Sequence, residues 1–329
     1  MKIWYDAGTG KQVRYGAAIA ERLRKNGQEM FLTTRKHPDT VPVANFLGER
    51  FTVVGDYNPK SLLTRLKSGT LRQLAFCRAF EKNPPDAAIS HGSVDLCRVA
   101  FGLGKPIILT VDTPYADAVH RLTFPLSKYI VISRAIPMDF FQKYNVDAEI
   151  VSFDGVDEVA WVKNFKPSVK YDFGKPLIVV RQIEEKAVYT KNSVDMVALA
   201  KKLTRLGTVV FLSRYHRKGI KGLVVPTDFV DSASLVAQAD LFVGVGGTIA
   251  REAALQGTPA ITVDVFQNQQ VNDFLTQKGF PIAKAALGEV PKIAEKLIDA
   301  KVNVKGLLAK LENPVDVIAD LVKRIGEKN

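Results

Sequence analysis

Short apolar runs rich in β-branched residues recur along the chain, with amphipathic stretches between them. A first series falls at residues 2–5, 30–33, 51–54, 87–90, 107–111 and 129–132, and a second at 177–180, 209–213, 223–225, 241–245 and 260–263. Strands that alternate with helices build parallel sheets covered on both faces, so each series predicts a Rossmann-like α/β half. Between the series, residues 154–176 lose their periodicity around Gly155, Pro167, Gly174 and Pro176, which places a linker there. The pattern divides the chain into residues 1–160 and 174–329, expected to face one another across a cleft lined by strand carboxyl ends. The last predicted element, a terminal helix at about 314–326, opens on Pro314 and places Val315, Ile318, Leu321, Val322 and Ile325 at helical spacing. Sequence order assigns it to the second half.

Composition fits this picture. A length of 329 residues suffices for two cores, and 47% apolar with 24% charged residues excludes a disordered chain. Cys77 and Cys97 form no CxxC pair, which argues against a disulfide framework or a cysteine zinc site. No HExxH, Cys/His cluster or Asp-x-Asp loop appears, so no metal is expected, and the missing Walker A pattern disfavours P-loop hydrolysis. The chain enters a strand directly after Met1, without the basic and long apolar regions of a signal peptide. No apolar run approaches the roughly 20 residues that span a bilayer. The expectation is a cytoplasmic protein, peripheral to a membrane at most.

The segment GVGGTIAREAALQGTPAI, residues 244–261, follows an apolar strand and opens a helix. Gly246, Gly247 and Thr248 at a helix start would let backbone amides approach a phosphate, with the helix dipole and a hydroxyl adding favourable contacts. Arg251 could neutralise phosphate charge, and Glu252, one turn beyond Thr248, could accept from a ribose or sugar hydroxyl. The plain alternative is a tight strand-to-helix turn with no ligand. Arg181 and Arg214 follow strands and, with Lys186 in the loop beyond Arg181, could meet a diphosphate, although basic loop residues often only face solvent. In the first half, His91-Gly92-Ser93 and Asp112-Thr113-Pro114 follow strands. Asp117 and Arg121 lie four apart on a helix with His120 between them, a spacing that an exposed ion pair would also explain.

Several stretches carry a resemblance that spans nearly the full length: KIWYDAGT, AISHGSVDLCRVAFGLGKP, DTPYADAVHRLTFPLSKYIV, DGVDEVAW, VVRQIEEKAVY and the 244–261 segment. The strand–GGT–helix unit with its Glu and the following GTP resembles the donor half of GT-B glycosyltransferases and of non-hydrolysing UDP-N-acetylglucosamine 2-epimerases. The whole chain resembles an archaeal family of unknown function with a GT-B-like fold. The resemblance implies two Rossmann-like domains, an acceptor-side half and a donor half. It also implies a nucleotide-diphosphate sugar, a UDP-sugar, as substrate, with no tightly bound cofactor. Gly246, Gly247, Thr248, Arg251, Glu252, Arg181, Lys186, Arg214 and Ser93 become donor-binding candidates. An attacking hydroxyl must lose a proton, so the base is sought among Asp112, His91, His120 and Asp117, with Asp112 and His91 favoured at strand ends. Where the epimerases read His-Gly-Asp, with the Asp implicated in catalysis, this chain has Ser93, which favours sugar transfer over epimerisation. A non-catalytic sugar-nucleotide or nucleic-acid binding protein is the third reading.

The formal charge of +12 narrows the partners. Residues 163–221 hold 14 basic and 4 acidic residues, a net of +10 beside the donor-binding candidates. No zinc finger, RNP-like strand or helix-turn-helix accompanies that charge, so nucleic acid ranks below a sugar nucleotide. A second basic focus spans residues 60–82, where Leu62, Leu63, Leu66, Leu74, Cys77 and Phe80 share one helical arc. A core-facing helix with a solvated basic face is the simpler expectation. The alternative is a segment resting on anionic membrane near an acceptor that is lipid-linked.

Overall fold

The computed structural model describes residues 1–144, 146–182, 195–213, 219–265 and 269–327. They fall into two compact units, Met1–Trp161 with Glu312–Asn329, and Val162–Leu311. In the first, β1 (Lys2–Ala7), α1 (Gly10–Lys25), β2 (Glu29–Lys36), α2 (Thr40–Phe46), β3 (Thr52–Asp56), α3 (Leu62–Ala79), β4 (Ala87–Ser90), α4 (Val94–Gly102), β5 (Ile107–Val111), α5 (Asp117–Thr123), β6 (Tyr129–Ser133) and β7 (Glu149–Phe153) alternate as expected, before the short α6 (Val159–Val162). The strands form a parallel sheet in the order β3-β2-β1-β4-β5-β6-β7. The order reverses between β1 and β4, which opens a crevice at their carboxyl ends. Strands β4, β5 and β6 are buried throughout, as continuous apolar runs between helical layers require.

The second unit runs β8 (Leu177–Arg181), α7 (Met196–Leu203), β9 (Thr208–Leu212), α8 (Ser232–Gln238), β10 (Leu241–Gly244), α9 (Gly247–Leu255), β11 (Ala260–Val263), α10 (Gln270–Gln277), β12 (Ile282–Ala285), α11 (Val290–Leu297) and α12 (Lys305–Lys310). Its parallel sheet has the order β12-β11-β10-β8-β9, with the reversal between β8 and β10. The architecture is thus two parallel-sheet Rossmann-like domains.

Four departures from the sequence reading have physical causes. The terminal helix α13 (Pro314–Gly326) groups with the first unit, not with the half that precedes it. Its Val315, Ile318, Leu321, Val322 and Ile325 join Tyr15, Ile19 and Leu23 of α1 in one buried cluster, so the chain returns to close the first core. Strands β7 and β12 lie at sheet edges and mix exposed, half-buried and buried positions, so neither shows a continuous apolar run. Residues 223–225 make one bridge, Val210 to Val224, and no strand.

Helix α3 is the fourth departure. It turns Arg72 and Phe76 inward, while Leu62, Leu63, Leu66, Leu71 and Leu74 are 81, 73, 68, 57 and 47% exposed. The helix therefore does not bury its leucines. Asp6 in β1 is 1% exposed and needs a counter-charge, which Arg72 supplies at 2.8 Å from its own buried position. Phe76 and Phe80 then pack edge-on against Trp4, each with ring centroids 4.7 Å away. A buried carboxylate thus sets the roll of the helix against its leucine pattern.

Candidate active site

The first crevice is furnished from four segments. Thr9 caps α1 by accepting from the Gln12 amide, which fixes Lys11 in the first turn. A cation there opposes the helix dipole, and carboxylates compensate it. Lys11 Nζ bonds Asp112 Oδ2 just beyond β5, lies 2.8 Å from Asp157 Oδ2 and 3.7 Å from Glu158 Oε1. His91, just after β4, places Nε2 3.3 Å from the other Asp112 oxygen, and its Nδ1 lies 2.6 Å from Thr110 Oγ1. Gln12 Nε2 donates to the His91 carbonyl at 2.8 Å, which holds the histidine backbone to α1. Tyr15 stands edge-on to the His91 ring at 5.7 Å. Burial, with the Asp157 charge second, raises the Tyr15 pKa well above its usual value, so the phenol stays protonated.

The members differ in access. Asp112 has 17% of its side chain exposed, against 3% for Asp157 and none for Glu158. Asp112 can meet a substrate and exchange a proton, while Asp157 and Glu158 hold Lys11 from behind. One ligand atom each from His91, Asp112 and Asp157 lies within 4.8 Å of the others, a set able to hold a metal ion. Lys11 already brings a positive charge to both carboxylates, so a metal would compete with it. No motif spacing reveals this group, since its members follow β4, β5 and β7 in three separate loops. Lys11, Asp157 and Glu158 were missed by sequence reasoning. Their signals were a lysine in a strand-to-helix turn and the acidic pair within DGVDEVAW.

Ser93 serves a neighbouring buried network. Its hydroxyl donates to Asp6 Oδ2 at 2.6 Å and caps α4 by accepting from the Leu96 amide. Arg72 completes the network with ion pairs to Asp6 and Asp95, both at 2.8 Å. Burial works against the Arg72 charge, but Asp6 and Asp95 outweigh it and raise the pKa. The serine now has a reason: an aspartate at 93 would set two carboxylates in contact.

His120 and Asp117 lie away from this group. His120 is 4% exposed, stacks on Phe124 at 4.5 Å and donates Nε2–H to the Thr113 carbonyl at 2.8 Å. Burial lowers its pKa, so the ring packs as a neutral member of the aromatic cluster with Phe140 and Tyr144. Asp117 pairs with Arg121 at 2.7 Å and accepts from Tyr144, which lowers its pKa to about 2. It is the exposed helical ion pair that its spacing allowed.

In the second unit, the switch point carries the glycine-rich turn. Gly246 is the N-cap of α9, with no side-chain cap and no acidic residue in the first turn. A Cβ on Gly244 would lie 3.5 Å from Arg181 Cβ, so the end of β8 and this turn are neighbours. Arg251 is 6% exposed, with Nη1 3.3 Å from Asn272 Oδ1. Its guanidinium fills the space beside Gly247, where a Cβ would come within 2.1 Å of Nη1. Arg251 therefore borders the first turn of α9. Glu252 departs from expectation: it is fully buried and accepts from Ser232 Oγ at 2.8 Å, because this side of α9 packs on α8. Lys186 and Arg214 lie outside the described residues.

Known proteins share this architecture. The chain is 27% identical over 342 residues to the uncharacterized protein MJ0665 of Methanocaldococcus jannaschii, covering 98% of each. Its fold is similar to that of the UDP-GlcNAc 2-epimerase from Neisseria meningitidis, bound there to UDP-GlcNAc, with a TM-score of 0.67, 14% identity and 100% coverage of both chains. It is also similar to the glycosyltransferase of kitacinnamycin, with a TM-score of 0.64, 14% identity and 98% coverage of both. Identity this low speaks for the fold alone, which is that of GT-B glycosyltransferases and UDP-GlcNAc 2-epimerases. The chain belongs to the DUF354 family of proteins of unknown function, whose family model matches residues 1–327.

Proposed function

We propose that this protein is a sugar-nucleotide enzyme of the GT-B type that transfers a sugar from a nucleotide diphosphate, uridine-based, to an acceptor hydroxyl. The observation that carries the reading is the start of α9, where Gly246, Gly247 and Thr248 open the helix without a side-chain cap, two residues past Gly244, which neighbours Arg181 at the switch point of a parallel sheet. A diphosphate gains hydrogen bonds, the positive end of a helix dipole and a guanidinium there. Acid–base chemistry falls to Asp112. The acceptor oxygen bonds to the anomeric carbon, the bond from that carbon to the phosphate oxygen breaks, and the acceptor proton passes to Asp112. His91 holds the carboxylate from one side and Lys11 from the other.

A second reading, epimerisation of a UDP-sugar, is favoured by His91 and Lys11 standing on either side of the accessible Asp112, which offers more than one proton donor and acceptor. Calorimetric titration with UDP and UDP-sugars tests what both readings share. Failure of a folded protein to bind either at millimolar concentration refutes both. Incubation of a UDP-sugar alone separates them, because an epimer formed without acceptor selects the second.

A further inference from the structure

The proposed chemistry does not use the exposed face of α3. At 100° per residue, Leu62, Leu66, Cys77, Leu63, Leu74 and Leu71 sweep one side of the helix, opposite Arg72 and Phe76. Five leucines between 47 and 81% exposed share one side of a single helix, an apolar strip that a solvent-facing helix rarely carries without a partner. The surface continues into a groove of about 680 Å³ whose lining includes the apolar Leu74, Phe80 and Leu103, the cations Arg78 and Lys105, and one carboxylate, Glu81. The same side is basic. Lys67 and Arg78 project within the leucine arc, Lys60 and Lys82 flank it, and α3 contains no acidic residue.

We infer that α3 and the adjoining groove form a docking face for an anionic lipid bilayer, with the leucines entering the acyl boundary and the basic residues meeting the headgroups. Charge selects this occupant. A second copy laid on the same face by two-fold symmetry would bring Lys67 and Arg78, flanked by Lys60 and Lys82, against their own like charges, an excess that Glu81 at the groove does not balance. An anionic surface satisfies both the apolar strip and its cations. No described helix is long and apolar enough to cross a membrane, so the helix would lie in the interface.

The inference is independent of the nucleotide-sugar reading, because its test contains no nucleotide. Full-length protein is sedimented with vesicles of phosphatidylcholine alone and with vesicles containing about 30% phosphatidylglycerol. Binding is expected to the anionic vesicles only and to weaken with salt. Lys67→Gln with Arg78→Gln should lower the partition coefficient at least tenfold, at about fivefold per charge. Leu63→Ser with Leu66→Ser and Leu74→Ser should do the same, with the far-ultraviolet circular dichroism of the wild type retained. Absence of binding to anionic vesicles overturns the inference, as does binding that ignores the leucine substitutions. A dimer in solution that dissociates on the leucine substitutions also overturns it, assigning the face to a second copy.

Discussion

Replacing Arg72 with Met tests whether the buried Asp6 carboxylate sets the roll of α3. Arg72 is 4% exposed and Asp6 is 1% exposed, and the guanidinium meets Asp6 and Asp95, each at 2.8 Å. Its Nε–H also donates to the Val54 carbonyl at 2.7 Å. Met fills similar volume but leaves Asp6 charged and buried with only Thr33 and Ser93 donating to it. Removing one partner of such a pair costs about 3–5 kcal/mol. The exposed pair Lys25–Glu21, with side chains 66 and 67% exposed, supplies the control, and Lys25→Met should cost about 0.5 kcal/mol or less.

The two tryptophans, Trp4 and Trp161, both belong to the first unit, so intrinsic fluorescence during urea unfolding follows that unit. A loss of this size lowers the urea midpoint by roughly 2 M at a typical slope. Adding Asp6→Asn to Arg72→Met should recover about half of the loss, since the uncompensated charge is gone, Thr33 can still donate to the amide oxygen and the amide nitrogen can donate to Ser93 Oγ in a reversed bond. A cost for Arg72→Met below about 1 kcal/mol would refute the reasoning. So would a double variant whose losses simply add.

Asp112→Asn should abolish turnover while leaving UDP affinity, read by calorimetry, within about twofold of the wild type. Gly247→Val drives the Arg251 guanidinium from its place beside the first turn of α9 and should weaken UDP binding roughly tenfold with the fold retained by circular dichroism. His120 is held neutral by burial, so its folded pKa lies below the ordinary 6.5. The unfolded chain then binds the extra proton first, so the histidine's contribution to stability is present above 6.5 and is lost as pH falls through the folded pKa. Thermal midpoints of wild type and His120→Asn, measured from pH 7.5 to 5, should converge as pH drops. A constant gap across that range would show that His120 titrates alike in both states.

Much of this protein is written in local pattern. The alternation of apolar runs with amphipathic stretches determined both parallel sheets, because the two-residue and 3.6-residue periods report which side of each element is buried. The helix start at Gly246–Thr248 and the helical spacing at Pro314 were equally legible, since glycine, proline and caps act on their immediate neighbours. Elements failed to show where burial was partial, as in the edge strands β7 and β12.

Tertiary structure decided the rest. Which core α13 completes depends on where the chain returns, and nothing within 314–326 encodes that. The outward leucines of α3 follow from Asp6, 66 residues away from Arg72. Lys11 meets Asp157 across 146 residues of chain, and His91 meets Asp112 only because β4 and β5 are neighbours. Glu252 and His120, plausible ligands by spacing, are buried by packing that no spacing reveals. Periodicity records the local contrast between water and core, whereas charge compensation acts between segments that only the fold brings together.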